Sequence, residues 1–161
     1  MGVSGVGKSL IGASLADRLD MPFADADSLH SYANLVKMSA GIPLDDSDRW
    51  PWLDDVGRRL ATRPSPIVAC SALRRAYRDR IREHSPETVF VLLTVGVEVL
   101  RERVGKRVGH FMPPSLLASQ LRTLEPLDAD EIGCAVDASA TPEVIVAQVA
   151  SELRTLGAAP A

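Results

Sequence analysis

Residues 2 to 9 read Gly2-Val3-Ser4-Gly5-Val6-Gly7-Lys8-Ser9. This pattern, G-x-x-x-x-G-K-[ST], restricts the fold more than any other feature of the chain. Its glycines let the backbone turn successive N–H groups onto a phosphate. The lysine adds a mobile positive charge, and the terminal hydroxyl can ligate Mg²⁺. The mechanism needs a helix directly after the loop, because the helix N-terminus adds positive potential at the phosphates. Lys8 to Leu19 supplies one, with Ile11, Leu15 and Leu19 on a single stripe. Such a loop also normally follows a buried strand. Gly2 already belongs to the loop, so the expectation is a strand of about five apolar, β-branched-rich residues before Met1. A natural chain heavier than 17.3 kDa is expected with it. The 161-residue form is then expected to be poorly soluble or weakly active.

Downstream, short apolar runs alternate with amphipathic stretches. Met21 to Asp25 predicts a strand and His30 to Ala40 a helix, stopped by Gly41 and Pro43. Asp46 or Ser47 can cap a helix to about Thr62, with Trp52, Leu53, Val56 and Leu60 facing inward and Pro51 fitting only in its first turn. Pro66 to Ser71 predicts a buried strand, followed by an arginine-rich helix from Leu73 to His84. Thr88 to Val95 shows no polar alternation and predicts a strand covered on both faces. Helices are expected over Val97 to Arg107 and Leu116 to Leu124, either side of a break at Gly109 to Pro114. Cys134 to Val136 predicts a last strand, and Pro142 to Leu156 a closing helix. The fold class is therefore α/β, a parallel sheet covered by helices on both faces. One domain is expected over 1–157, with a lid at about 104–118 and a disordered tail at 158–161.

The formal net charge of −3 argues against a general nucleic-acid or membrane-surface binder. Thr88 to Val97 is too short to cross a bilayer, and no signal-like segment opens the chain. Cys70 and Cys134 lie far apart in apolar segments and predict reduced core cysteines of a cytoplasmic protein. Lysine is scarce, standing only at positions 8, 37 and 106, which sets the loop's lysine apart from the arginines that supply the other positive charges.

Asp25 and Asp27 follow the second segment's strand. Alternate residues on extended backbone share a face, so both carboxylates can enter one cleft. There one can hold the water shell of Mg²⁺ and the other accept a proton from a substrate hydroxyl. The competing reading is a turn or capping pair. Arg103 and Arg107 share a helix face. They either cover a transferring phosphoryl from a lid or pair on the surface with Glu98 or Glu102. Arg74, Arg75, Arg78, Arg80 and Arg82 predict a solvated basic face, whose first members stand near a strand's C-terminal end, where ligands collect in such sheets. His30 and His110 flank the candidate cleft, while Trp50 and Trp52 are expected to pack.

Longer motifs accompany these residues. They are Asp25 to His30 (D-A-D-S-L-H), Asn34 to Leu53 (N-L-V-K-M-S-A-G-I-P-L-D-D-S-D-R-W-P-W-L), Cys70 to Asp79, and Gly109 to Gln120 running into Thr123 to Pro126. With the loop, they resemble the gluconokinase family along nearly the whole chain. The Lys37 to Leu53 stretch is far more specific than the loop. The resemblance implies an adenylate-kinase-like fold with a lid, ATP as cosubstrate, Mg²⁺ as cofactor, gluconate as the small-molecule substrate with 6-phosphogluconate as product, and often a homodimer. It implies nucleotide contacts at Gly2, Val3, Ser4, Gly5, Val6, Gly7, Lys8 and Ser9, and metal contacts at Ser9 and Asp25. Lys8, Asp27, Arg103 and Arg107 become catalytic candidates, and His30, Arg49 and Arg75 candidate gluconate contacts. The chain departs from the family pattern at Ser31-Tyr32, at Leu121 and over Leu127 to Gly133. Two other readings share the loop: a kinase of shikimate-kinase type, and a truncated nucleotide-binding protein without turnover.

Overall fold

The structure, a computed structural model, describes residues 1–105 and 114–158, the side chains of 114–116 excepted. Arg107, Gly109, His110 and most of the expected lid lie outside the described residues, as do the last three of the tail. In chain order the elements are α1 (Lys8–Leu19), β1 (Phe23–Asp25), a 3₁₀ turn (Ala26–Leu29), α2 (Tyr32–Ser39), α3 (Asp46–Leu60), β2 (Ile67–Ala69), α4 (Arg75–His84), β3 (Phe90–Thr94), α5 (Val97–Gly105), α6 (Pro114–Thr123), β4 (Gly133–Asp137) and α7 (Pro142–Thr155).

Local chemistry sets the boundaries. Ser31 caps α2 by accepting the Asn34 N–H at 3.2 Å, so His30 stays extended instead of opening the helix. Asp45 and Asp48 form a reciprocal capping box that starts α3 at Asp46. This start leaves Pro51 inside the helix, past the first turn expected for it.

All strand pairing is parallel. Phe23, Ala24 and Asp25 of β1 lie opposite Ile67, Val68 and Ala69 of β2. Phe90 to Thr94 of β3 lie opposite Gly133 to Asp137 of β4. The expected sheet is therefore two parallel ladders, and Met1 and Gly2 tie them together. The Met1 amine donates to Val91 O, Leu93 N–H donates to Met1 O at 3.0 Å, and Gly2 N–H donates to Ser71 O at 3.1 Å.

Side chains alternate across this frame with the two-residue period of a strand. Ile67, Val89, Val91 and Leu93 join a core with Ile11 and Leu15 of α1 and Val149 and Leu153 of α7. Val68, Cys70 and Phe90 join a second core with Trp52, Leu53 and Val56 of α3 and Ile81 of α4. Both cysteines are free thiols, and burial pushes Cys70 up to about 12. Among the described residues, no helix is long and apolar enough to cross a membrane.

The arginine-rich helix α4 is not the solvated face expected of it. Arg78 is fully buried, and its guanidinium donates twice to Glu131, at 2.6 Å each, and to the carbonyls of Glu125 and Pro126. Arg75, Arg80 and Arg82 are also ion-paired. Burial opposes the Glu131 charge, yet the Arg78 hydrogen bonds hold its carboxyl down to about 2. The reason is topological: α4 packs against the Glu125–Glu131 loop, a neighbour that helix periodicity does not reveal.

Candidate functional site

The phosphate-binding loop leads into α1 through Gly7, whose φ of +105° is open to glycine and strained for other residues. Gly2, at φ +136°, passes so close to β3 that a Cβ would come within 2.8 Å of Leu93 O. No side chain caps α1, so its first N–H groups face the loop's concavity. Lys8 folds back along the loop and donates to Val3 O at 3.1 Å.

Next to the loop, Ser9 Oγ donates to Asp25 Oδ2 at 2.5 Å. The other Asp25 oxygen accepts the Asp27 N–H at 3.0 Å, capping the 3₁₀ turn. The acidic pair therefore does reach one place, but not by strand alternation. Asp25 ends β1, and the 3₁₀ turn carries the exposed Asp27 round to the cleft. Asp25 is both a cap and a candidate metal ligand. A hydroxyl and a carboxylate suit Mg²⁺, which binds through one or two carboxylates plus phosphate oxygens and waters. Among the described residues, no group of three or more His, Cys, Asp or Glu side chains is placed to hold a metal ion.

Across from the loop is a cavity of about 100 Å³ where Ser4, Lys8, Asp27, His30, Arg49 and Trp52 meet. Trp52 builds its wall: its indole N–H donates to Ala26 O at 2.7 Å and fixes the 3₁₀ turn, while its ring stacks on His30 at 4.3 Å. Burial pulls the His30 pKa below its ordinary value; Asp27 works against that shift and Arg49 with it. His30 is thus a neutral ring near neutral pH. Its Nδ1 lies 3.4 Å from Asn34 Nδ2, which also donates to Asp48 O at 3.0 Å. With Nδ1 accepting, the proton sits on Nε2.

Arg49 donates to Tyr77 Oη at 3.2 Å and lies 3.6 Å from Asp46. Tyr77 donates in turn to Asp46, which also pairs with Arg74 at 3.0 Å. A cation thus stands at the cavity on a scaffold of Tyr77 and Asp46. Arg75 is not brought there: Asp79, Asp128 and Asp130 occupy its guanidinium, because α4 turns that side toward the 128–130 loop. Arg103 lies along the loop's far side, donating to Ala138 O at 3.0 Å and Val6 O at 3.5 Å, and Glu98 pairs with Arg101 instead.

Sequence reasoning missed Gln120 of α6, whose Oε1 accepts the Ser4 N–H at 2.7 Å. It also missed the scaffolding by Asn34, Tyr77 and Asp46. Each stood inside a quoted motif, but nothing in periodicity distinguishes a residue that supports a neighbouring element from one that faces solvent.

A glycine-rich loop opening a helix, a hydroxyl–carboxylate pair beside it, a carboxylate facing the cavity and a cationic far wall, all carried on parallel strands between helices, define a P-loop kinase. The comparisons with known proteins narrow this. A model of the shikimate kinase family matches residues 4–123. A probable gluconokinase of Xenopus tropicalis is 42% identical over 172 residues, spanning 95% of this chain and 90% of that protein. The crystal structure of a gluconokinase from Sinorhizobium meliloti superposes with a TM-score of 0.90 at 48% identity, over 97% of this chain and 90% of that one. An unliganded sugar kinase from a Janibacter species gives 0.91 at 44% identity, over 100% and 96%. The chain belongs to the gluconokinase family.

Proposed function

We propose that this protein transfers the γ-phosphoryl group of ATP to D-gluconate, giving 6-phospho-D-gluconate and ADP. The observation that carries the reading is the cavity itself: Lys8 of the phosphate loop, the Asp27 carboxylate and the Arg49 cation line one small space. In this reading Arg49 grips the gluconate carboxylate through parallel hydrogen bonds. His30 offers its Nε2 N–H to a hydroxyl. Asp27 accepts the proton of the attacking hydroxyl as its oxygen bonds to the γ-phosphorus. Lys8 and Arg103 stabilise charge on the transferring group. Ser9 and Asp25 would hold Mg²⁺, which neutralises phosphate charge when bound. Arg75 contributes at most indirectly, by holding α4 against the 128–130 loop. A homodimer and a cytoplasmic location belong to the same proposal, on the family resemblance.

The shikimate-kinase reading has one observation in its favour, the family model over residues 4–123. A coupled assay with gluconate, shikimate and nucleoside monophosphates separates the two. Turnover of gluconate, with little of the others, is expected. Turnover of shikimate in its place overturns the proposal, and ATP binding without turnover of any acceptor identifies a non-catalytic protein.

A further inference from the structure

Helix α6 turns its leucines inward. Leu117 is buried in the first core, and Leu121 and Leu124 pack against it. Gln120 stands one turn from both Leu117 and Leu124, where helix periodicity favours another apolar side chain. An inward amide is costly unless its polar groups find partners. Half of this one has a partner: the Ser4 N–H, itself buried, donates to Gln120 Oε1 at 2.7 Å. A backbone N–H only donates, so the amide oxygen faces the phosphate loop and the two N–H groups on Nε2 are left over. No described residue accepts from that nitrogen. Gln120 lines the cavity that Asp27, His30 and Arg49 also line.

The side chain is held from behind as well. Leu124 N–H donates to Gln120 O at 2.9 Å. The next residue, Glu125, accepts the Arg75 N–H on its carboxylate and donates its own N–H to Leu73 O, both at 2.7 Å. Arg78 donates to the Glu125 carbonyl at 3.1 Å. The end of α6 is thus fastened to the start of α4, and Gln120 is fixed between the loop and the acceptor cavity.

We propose that Gln120 is a specificity-determining contact for the acceptor. Its oxygen stays on the Ser4 N–H while Nε2 donates to the gluconate hydroxyl beside the reacting one, at C5. The inference rests on gluconate being the acceptor. The amide is bonded to the phosphate loop, so it stands at the transfer end of the cavity. There Asp27 takes the reacting hydroxyl, Arg49 holds the distant carboxylate, and the next oxygen along the acceptor chain meets Gln120. One planar amide then sets the acceptor in register with the loop. An acceptor lacking that hydroxyl leaves the Nε2 donors unpaired and reacts more slowly.

The test changes the protein and the substrate together. kcat/KM is measured for the parent, Gln120→Met and Gln120→Glu, each with gluconate, 5-deoxygluconate and 2-deoxygluconate. Methionine has the length of glutamine but no donor. The glutamate carboxylate also lacks a donor but still accepts the Ser4 N–H, so it keeps the loop bonded should the methionine chain fold poorly. The parent is expected to prefer gluconate to 5-deoxygluconate by about tenfold or more, and both variants to lose that preference to within about twofold. Preference over 2-deoxygluconate should be the same in all three. Equal losses on gluconate and 5-deoxygluconate identify a structural amide and overturn the proposal. A parent that does not discriminate at C5, or variants whose lost preference lies at C2, overturn it too. Gluconate turnover by the parent is read first. Its absence overturns the functional reading itself, whereas normal turnover with preference unchanged in the variants overturns only the role of Gln120.

Discussion

The two walls of the candidate site are built on different principles. The phosphate wall is eight consecutive residues, Gly2 to Ser9, and it works mainly through backbone N–H groups aimed by glycine conformations and by the start of α1. The acceptor wall is assembled from side chains on three separate elements: His30 after the 3₁₀ turn, Arg49 and Trp52 on α3, and Tyr77 on α4. Trp52, Asn34 and Asp46 hold them in place. A backbone wall accepts any polyphosphate of the right shape, because every residue has an N–H. A side-chain wall carries the specificity and depends on the packing of helices behind it. The comparison leads to distinct expectations for each wall.

The largest expected effect is on the support of the acceptor wall. Arg78 and Glu131 are both fully buried and pin α4, which carries Tyr77, to the loop before β4. Glu131→Gln leaves a buried guanidinium uncompensated and should cost about 3–5 kcal/mol, read by denaturant unfolding. The Glu131 pKa is lowered on folding, to about 2 from 4.5. Its stabilisation is therefore complete above about pH 4.5 and is lost as pH falls toward 2. The variant should show a flatter acid limb over that window. An unchanged acid limb would mean that the pair contributes nothing beyond packing.

Lys8→Ala tests the phosphate wall. Lys8 meets phosphate charge in the ground state and the transition state, so both ATP affinity and kcat should fall, kcat by about 10²- to 10³-fold. Equal KM for ATP in the variant and the parent would separate Lys8 from nucleotide binding. Asp27→Asn lies where the walls meet. It should lower kcat by about 10²-fold while leaving both KM values near those of the parent. A near-normal kcat would require a different base.

The smallest expected effect is the most selective. Arg49→Ala removes the acceptor wall's cation and should raise KM for gluconate by about tenfold, with KM for ATP unchanged. A parallel rise in both would place Arg49 in the general scaffold with Asp46 and Tyr77.

Legibility in the sequence follows the same division. The loop, α1 and the strand segments could be read from local spacing, because their determinants lie within a few residues, whereas Asp25 and Asp27 are brought together by the 3₁₀ turn and not by the strand alternation that spacing suggested. The expected solvated face of α4 failed, because the neighbours of Arg75 and Arg78 arrive about fifty positions later, at Asp128, Asp130 and Glu131. Arg49 and Arg75 were equal candidates as arginines in long motifs. Only the rotation of α4 placed one at the cavity and the other among carboxylates.

The sequence by itself determined the elements and their order, a phosphate-binding loop and its helix, and the likeness to one kinase family, since these depend on contiguous residues and their backbone preferences. The tertiary structure decided which side chains share the cavity, which arginine is buried and why His30 is held neutral. Those outcomes depend on contacts between elements distant in the chain, where burial and pairing set charge and orientation, and no local pattern encodes which partner a side chain will meet.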